Sequence, residues 1–356
     1  MGEGQERSAA DAIDRRRFLA AAAVAAGTGF ETRAAAAAEG ERMADRFDFD
    51  AVVVGGGPAG LSAALVLGRA RRRVLVCDAG EGRNAPAEGV HGFLTQDGTP
   101  PAELRRVGRE QLARYGVAFR EGRVSAARKV EGGFEVTPDG GEAVRARTLI
   151  LATGLADVLP EVPGLKEVWG RGVFHCPFCH GWEVRDRPWA FIAPPEGVVE
   201  SATMFLGWTK GLTLLTDGRA GYAPALRAWL AAQGVKVEDD RVERVEGAEG
   251  RLTAVVLAGG RRLTPAALFV RTTLKPRSGL AESLGCALVA EGPKAGMVRT
   301  GPMGATDVPG LFVVGDASDG GVPTVASAVA EGATAAAFAT RALLSEDAGA
   351  VAPPPK

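Results

Sequence analysis

Two cysteines separated by two residues, Cys176 and Cys179, are the side chains of this sequence best suited to chemistry. Cysteines at this spacing can close a disulfide within one turn, and the positive end of a helix dipole lowers a thiol pKa. His180 adjoins Cys179, which places a proton acceptor and donor beside the pair. The stretch therefore predicts a redox-active disulfide that exchanges with thiols, with Cys176, Cys179 and His180 as its catalytic residues.

The same stretch allows two other interpretations. It holds four side chains of zinc-ligand type, namely His175, Cys176, Cys179 and His180. Neighbouring side chains in one short turn rarely complete a tetrahedron, and the chain has no second Cys-x-x-Cys, so we expect no metal ligands here. The order Cys-Pro-Phe-Cys-His also matches the attachment motif of haem c. A haem-bearing electron carrier stays the weaker alternative, because it leaves the nucleotide-binding patterns of the chain without a role.

A glycine-rich turn predicts a dinucleotide site near the start of the fold. The β-branched run 51–54 leads into Gly-Gly-Gly-Pro-Ala-Gly at 55–60, a helical pattern follows, and a second apolar run ends at Asp78. Glycines let the backbone approach a pyrophosphate, the helix N-terminus supplies N–H donors, and the acid accepts a hydrogen bond from a ribose hydroxyl. The expected binding residues are Gly55, Gly57, Pro58, Ala59, Gly60 and Asp78.

Two further strand ends point to FAD as the dinucleotide. One apolar run ends in Ala152-Thr153-Gly154, and another ends in Gly315-Asp316. In this order the chain resembles flavoprotein reductases with two dinucleotide sites. The resemblance implies that the Ala-Thr-Gly turn closes the FAD fold and that Asp316 holds the ribityl chain. The Ala-rich helix that follows, starting at Thr324 and Val325, can direct its N-terminus at the electron-rich side of a reduced flavin.

Together with the cysteine pair, these motifs resemble the low-molecular-weight thioredoxin reductases, FAD-dependent members of the pyridine nucleotide-disulfide oxidoreductase family. The resemblance implies an α/β fold with two Rossmann-like, three-layer ββα domains. The FAD domain would be discontinuous, residues 47–160 and 273–345, and would enclose an inserted NADPH-type domain, residues 161–272, that carries the cysteines. The resemblance also implies that Cys179 lies against the flavin, that Cys176 exchanges with substrate, and that the protein is a homodimer.

The residue after the second cysteine narrows the resemblance. The family places an aspartate close after that cysteine, whereas this chain has His180. This departure is shared with the dithiol oxidases of disulfide-bridged natural products such as gliotoxin and holomycin. Segments 83–85 and 91–94 also resemble that branch, in which this loop runs over the flavin. The resemblance therefore adds Arg83, Asn84 and His91 to the expected cofactor-binding residues.

The turn expected to bind NADPH has lost its phosphate-binding residues. The strand and helix patterns that frame it are present, but residues 193–197 read Ala-Pro-Pro-Glu-Gly. Pro194 and Pro195 carry no N–H, and Glu196 places a negative charge where a phosphate would approach. NADPH is therefore doubtful, and we predict that a small-molecule dithiol or a protein thiol is oxidised, with electrons passing through the cysteine pair to FAD and on to O2. An NADPH-dependent thioredoxin or disulfide reductase is the alternative.

Composition gives no reason to expect nucleic acid or a membrane as a partner. Lys plus Arg number 42 and Asp plus Glu number 43, so the formal net charge is −1. With 46% hydrophobic and 24% charged residues, the chain has the composition of a globular protein. Cys77 and Cys286 lie in apolar runs and are expected to be buried thiols.

The N-terminal segment predicts export. Arg15-Arg16-Arg17 precedes Phe18-Leu19, an apolar run and a small-residue stretch, which is the order of a twin-arginine signal. Residues 1–42 are therefore expected to be a signal or a non-native extension. If Met43 is the true start, the protein is expected to be cytoplasmic instead. Residues 346–356, which contain several Ala and Pro, are expected to be a disordered tail.

Overall fold

The structure, a computed structural model, describes residues 46–348. Its strands are, in chain order, β1 (Phe49–Val54), β2 (Val74–Asp78), β3 (Ala118–Glu121), β4 (Val124–Val130), β5 (Gly133–Pro138), β6 (Val144–Leu151), β7 (Leu155–Val158), β8 (Val173–Phe174), β9 (Trp189–Ile192), β10 (Leu212–Leu215), β11 (Lys236–Glu238), β12 (Val242–Ala248), β13 (Arg251–Leu257), β14 (Arg262–Leu263), β15 (Ala267–Val270), β16 (Thr273–Pro276) and β17 (Leu311–Val313). Its helices are α1 (Pro58–Arg69), α2 (Pro101–Ala113), α3 (Pro177–His180), α4 (Val198–Phe205), α5 (Pro224–Ala232), α6 (Leu280–Ser283) and α7 (Val325–Asp347). Single 3₁₀ turns lie at Lys166–Val168, Pro195–Gly197, Pro302–Gly304 and Gly315–Ala317.

The first sheet brings three turns of the chain to one edge. Strands β3, β2, β1 and β6 run parallel in that order, β17 pairs with β6, and β5 and β4 extend the sheet in antiparallel fashion. The β-branched run of β1 is buried, as expected for a central parallel strand. Val54 pairs with Leu151, and Leu151 pairs with Val313. The turns that follow β1, β6 and β17 therefore meet at the carboxyl edge, where doubly wound sheets bind ligands.

The second sheet carries the cysteine pair at its edge. Its strands are parallel and follow the order β11-β10-β9-β15-β8. Side chains of α4 and α5, including Phe205 and Leu230, pack on one face, and side chains of β12 and β13, including Val245 and Val255, pack on the other. Phe174 at the end of β8 pairs with Phe269 of β15. The residues after Phe174 therefore leave the same sheet edge as those after β15.

The α/β fold class with Rossmann-like parallel sheets is confirmed. The antiparallel strands β7 and β16 pair with each other where the chain passes between the two large sheets. The expected domain limits, at residues 160–161 and 272–273, lie close to these two strands. Cys77 and Cys286 are buried free thiols, as predicted.

The chain ends differ in part from expectation. Helix α7 continues to Asp347, whose carboxylate pairs with Arg72 at 2.8 Å and with Arg147 at 2.7 Å. Residues 346 and 347 are thus helical instead of a disordered tail, because they compensate the buried Arg147 guanidinium. The rest of the expected tail, residues 349–356, and the predicted signal, residues 1–42, lie outside the described residues. No helix between residues 46 and 348 is long and apolar enough to cross a membrane.

Candidate active site

The redox turn, residues 174–183, begins at the end of β8. Cys176 and Cys179 are joined by a disulfide, and their Cα atoms lie 5.4 Å apart. Cys176 is the N-cap of α3, where its Sγ accepts a hydrogen bond from the Cys179 amide at 3.2 Å. Pro177 suits the first helical position because that position needs no backbone donor. The structure thus holds the disulfide that the spacing predicts.

His180 carries a buried imidazole within the redox turn. Its ring stacks on Phe174 with the ring centroids 4.3 Å apart. Both ring nitrogens are buried, and neither has a hydrogen-bond partner in the part of the chain that the structure describes. Burial, followed by the positive potential of His175 and His91, lowers the pKa of His180 to about 4, and the nearby Cys176 backbone only partly opposes this. The imidazole is therefore neutral at pH 7, the form that accepts a proton.

The variant H180Q should slow thiol exchange at the disulfide by about 10²- to 10⁴-fold, the usual contribution of a positioned proton acceptor. Because the pKa of His180 is about 4, the wild type should keep this advantage as the pH falls from about 8 to 5 and lose it only below that. The measurement is the ratio of wild-type to H180Q rates against pH, since the titration of the substrate thiol cancels in that ratio. A ratio that already falls near pH 6.5, where an ordinary histidine titrates, would contradict the lowered pKa of His180.

His91 faces the redox turn from the first half of the chain. Its ring lies edge-on to His180, with the centroids 6.5 Å apart. Its Nδ1 is 3.6 Å from an Asp97 carboxylate oxygen, and its Nε2 is 3.6 Å from a Glu183 carboxylate oxygen. The other histidine, His175, stacks on Trp169 with the centroids 5.7 Å apart. The structure therefore brings the predicted residues His91 and His180 together.

Apolar side chains surround the redox turn at the surface. Phe178 is 73% exposed and contacts Trp208 edge-on, whereas Trp182 is 66% exposed with the Arg185 guanidinium over its ring. Leu94, three residues after His91, is 87% exposed. Exposed aromatic and aliphatic groups at this density suit an apolar partner or substrate.

The flavin turn, residues 55–60, has the packing and the open space that a dinucleotide needs. A Cβ on Gly55 would collide with the Ala152 carbonyl oxygen, and one on Gly315 would lie 2.9 Å from the Ala59 Cβ. The three strand-end turns therefore pack directly on one another. No described heavy atom lies within 4 Å of the position that a Gly57 Cβ would take, so the approach to the N-terminus of α1 is open. These residues fit the pyrophosphate of FAD.

Asp78 anchors the flavin turn. Its Oδ1 accepts a hydrogen bond from the Gly56 amide at 2.9 Å, and its Oδ2 pairs with Arg105 at 3.1 Å and Arg109 at 2.8 Å. Burial by itself would raise the pKa of Asp78, but the Gly56 amide and the two guanidinium groups outweigh it and lower that pKa. Asp78 is therefore ionised at neutral pH and can accept from a ribose hydroxyl.

Asp316 and Arg83, both predicted to contact the cofactor, meet in the structure. Arg83 Nη1 lies 3.0 Å from Asp316, and the same guanidinium binds both oxygens of Asp157 at 2.7 and 2.8 Å. The Thr272 hydroxyl donates to Asp157 at 2.8 Å. Burial would lower the pKa of Arg83, but these carboxylates outweigh it and raise that pKa. Asn84 follows Arg83 in the chain and is partly buried.

The N-terminus of α7 lies beside the Gly315–Ala317 turn. Thr324 is its N-cap, with the hydroxyl accepting from the Ser327 amide at 3.1 Å, and Val325 is the first helical residue. Glu331 of the same helix accepts from the Gly315 amide at 3.0 Å. Thr153, between Ala152 and Gly154 in the turn after β6, lines a cavity of about 220 Å³. The turns that follow β1, β2, β6 and β17 thus carry most of the predicted cofactor residues, at the carboxyl edge of the first sheet.

The turn at residues 193–197 offers few donors to a phosphate. Pro194 and Pro195 have no N–H. The Gly197 amide donates to the Pro194 carbonyl at 2.9 Å, and the Val198 amide donates to the Pro195 carbonyl. Two donors that a glycine-rich turn would direct at a pyrophosphate are therefore missing, and those of Gly197 and Val198 are already paired.

Protein side chains also occupy the space around this second turn. The buried Tyr222 hydroxyl donates to the Ala193 carbonyl at 2.7 Å. The guanidinium of the exposed Arg271 lies against Gly197, at the end of a flexible side chain. The corresponding space at Gly57 in the flavin turn is open. The two turns therefore share a framework but differ in their capacity to hold a dinucleotide.

Comparison with known proteins identifies the class. The model of the pyridine nucleotide-disulphide oxidoreductase family matches residues 49–332, so the chain belongs to that family. Thioredoxin reductase tcpT of Claviceps purpurea is 33% identical over 308 residues, which cover 83% of this chain and 95% of that protein. An oxidoreductase structure from Agrobacterium tumefaciens is 43% identical, with a TM-score of 0.76 over 83% of this chain and 98% of that one. The structure of HlmI is 37% identical, with a TM-score of 0.76 over 84% and 93%.

Within that family, the chain is an FAD-dependent thiol/disulfide oxidoreductase of thioredoxin reductase type. The resemblance drawn from the motifs and FAD as the cofactor are confirmed. When bound, FAD would be held by the flavin turn, Asp78 and the Asp316 turn.

Sequence reasoning missed several residues that hold the site together. Arg105 and Arg109 lie four apart on α2, so their common face was a detectable signal for an acidic partner. Nothing near Glu331 or Asp157 in the sequence marks them as partners of the Gly315 turn and of Arg83. Their roles depend on contacts between distant segments.

Proposed function

We propose that the protein oxidises a dithiol to a disulfide, with O2 as the final electron acceptor and without NADPH as a donor. The observation that carries this proposal is the second turn, where prolines replace glycines, the Gly197 and Val198 amides are already paired, and the Tyr222 hydroxyl binds the Ala193 carbonyl. Beside it, the redox turn keeps its disulfide and a neutral histidine. Reducing equivalents then have to enter through the cysteines.

The chemistry assigns a step to each residue of the redox turn. A substrate thiolate attacks Cys176 Sγ and expels Cys179 as a thiolate, and His180 accepts the proton of the substrate thiol. The second substrate thiol then displaces Cys176 and gives its proton to the departing Cys176 sulfur, which yields the substrate disulfide and the reduced cysteine pair. Bound FAD supplies a two-electron acceptor for that pair and can itself be reoxidised by O2. Overall, the substrate loses two electrons and two protons, and O2 takes up the same two electrons and two protons to form H2O2.

The substrate in this proposal is a small-molecule dithiol or a protein thiol. The exposed Phe178 and Trp182, which belong to the redox turn itself, support an apolar group near the disulfide. We also propose a homodimer and export through the twin-arginine pathway. The alternative activity, NADPH-dependent disulfide reduction, draws support from relatives that are named thioredoxin reductase.

Oxygen uptake tests the proposed acceptor. In air, each disulfide formed should consume one O2 and release one H2O2, so added catalase should halve the net oxygen uptake. The matched control is C176S, which should consume no oxygen with the same dithiol. Dithiol oxidation without oxygen uptake would show that another acceptor is used.

A further inference from the structure

A cavity of about 140 Å³ opens beside the redox turn. His175 and Pro177, the two chain neighbours of Cys176, both line it, so the cavity adjoins the segment that carries Cys176. The cavity wall that carries Arg271 lies level with Cys176. Phe174 of β8 pairs with Phe269 of β15, and Cys176 and Arg271 each follow two positions after one of these residues. A group bound in the cavity would therefore lie near the sulfur that exchanges with substrate in the proposed function.

Arg271 is the cationic group of this cavity. No ion pair or hydrogen bond joins its guanidinium to any residue between 46 and 348. The guanidinium also lies against Gly197, where the chain enters α4. The positive end of that helix adds to the charge of Arg271, so the site favours an anion.

The other walls limit what that anion is. Phe191 and Phe269 are buried and form an apolar floor, which suits a hydrocarbon segment. Glu200 also lines the cavity from the first turn of α4, and it disfavours a group with more than one negative charge. A guanidinium fork matches a carboxylate in two parallel hydrogen bonds. A single carboxylate on an aliphatic chain meets all of these conditions.

We propose that Arg271 is a specificity-determining residue that binds the carboxylate of an acidic dithiol, while the aliphatic part of the substrate packs on Phe191 and Phe269. The inference rests on the proposed dithiol oxidation and names the substrate class for the same site. Its guanidinium lies against Gly197 at the N-terminus of α4, where it supplies a cationic fork in place of the backbone donors that the prolines lack.

The test compares dihydrolipoate with dihydrolipoamide, which share the dithiol and a flexible chain and differ in the charged carboxylate. Anaerobic flavin reduction by the wild type should favour the acid by about 10- to 100-fold in kcat/KM, the usual range for a charge-assisted pair. In R271Q this ratio should fall to about one, and R271K should restore part of it. Calorimetry with oxidised lipoate and lipoamide, which needs no turnover, should show the same preference in Kd.

Two controls separate the outcomes. R219Q removes an arginine elsewhere in the same half of the chain and should leave the ratio unchanged, whereas E200Q should raise it because a like charge is lost. Equal rates for acid and amide in the wild type, or a ratio that R271Q leaves intact, would overturn the role of Arg271 while the dithiol oxidase proposal stands. Failure of both dithiols to reduce the flavin would instead contradict dithiol oxidation itself.

Discussion

The variant C179S is expected to lower the rate of flavin reduction by a dithiol on the order of 10⁴-fold or more, as for other essential nucleophile pairs. Without the Cys179 sulfur, the two electrons taken from the substrate cannot be stored as a reduced cysteine pair. In C179S, Cys176 has lost the cysteine whose Cα lies 5.4 Å from its own. Its thiol can then only form a mixed disulfide with an added oxidised substrate. Anaerobic stopped-flow absorbance measures the first effect, and intact mass spectrometry measures the second.

The matched controls are C176S and C286A. C176S should also block flavin reduction but should form no mixed disulfide, because the remaining Cys179 is the cysteine assigned to the flavin side. C286A removes a buried thiol far from the redox turn in sequence and should leave the rate within a few-fold of the wild type. Unchanged flavin reduction in C179S would overturn the assignment of the cysteine pair as the entry point for electrons.

The variant G55A is expected to lose FAD and to reduce the free energy of unfolding by roughly 2–4 kcal/mol. Gly55 has φ +110°, a conformation that residues with a side chain rarely adopt. Its Cβ would also collide with the Ala152 carbonyl oxygen, and a backbone collision cannot be relieved by turning a side chain. The strand ends would then separate at the point where the flavin turn and the Ala152 turn touch.

Flavin absorbance relative to protein absorbance, together with denaturant unfolding, measures both effects. G116A is the matched control, since Gly116 also has a positive φ, +67°, but no described atom lies within 4 Å of its Cβ position. It should cost only about 1 kcal/mol and keep its flavin. Full flavin content in G55A would contradict the close packing of the three turns.

The sequence predicted the parts of the site that are local in the chain. Glycines between a buried strand and a helix, and two cysteines within one turn, constrain their own backbone, so their pattern indicates their role. The disulfide and the flavin turn therefore lie where the motifs placed them. The fold class, which the family resemblance of these motifs implied, is confirmed.

Contacts between distant segments could not be predicted in this way. Asp78 was expected to face a ribose, but the sequence did not indicate that Arg105 and Arg109 bind it. His91 was expected to contact the flavin, but the sequence did not indicate that its ring lies beside His180 and Glu183. Arg271 follows a buried strand, and only the pairing of β15 with β8 brings it level with the redox turn.

The prolines of the second turn illustrate the same limit. Their missing N–H groups were evident from the sequence, and they predicted a weakened phosphate site. The Tyr222 hydroxyl and the Arg271 guanidinium, which fill the space around that turn, come from segments about 25 and 75 residues further along the chain. The second turn therefore differs from the flavin turn in the side chains that lie beside it as well as in the N–H donors that it lacks.

Anaerobic titration of the flavin with a dithiol and, separately, with NADPH tests the account most directly. A dithiol should bleach the flavin fully with two equivalents per protein chain, one for the Cys176–Cys179 disulfide and one for the flavin, while NADPH should leave the flavin absorbance unchanged even in excess. Stoichiometric bleaching by NADPH would contradict the proposed entry of electrons through the cysteines, because it would place a working nicotinamide site beside Pro195 and Tyr222.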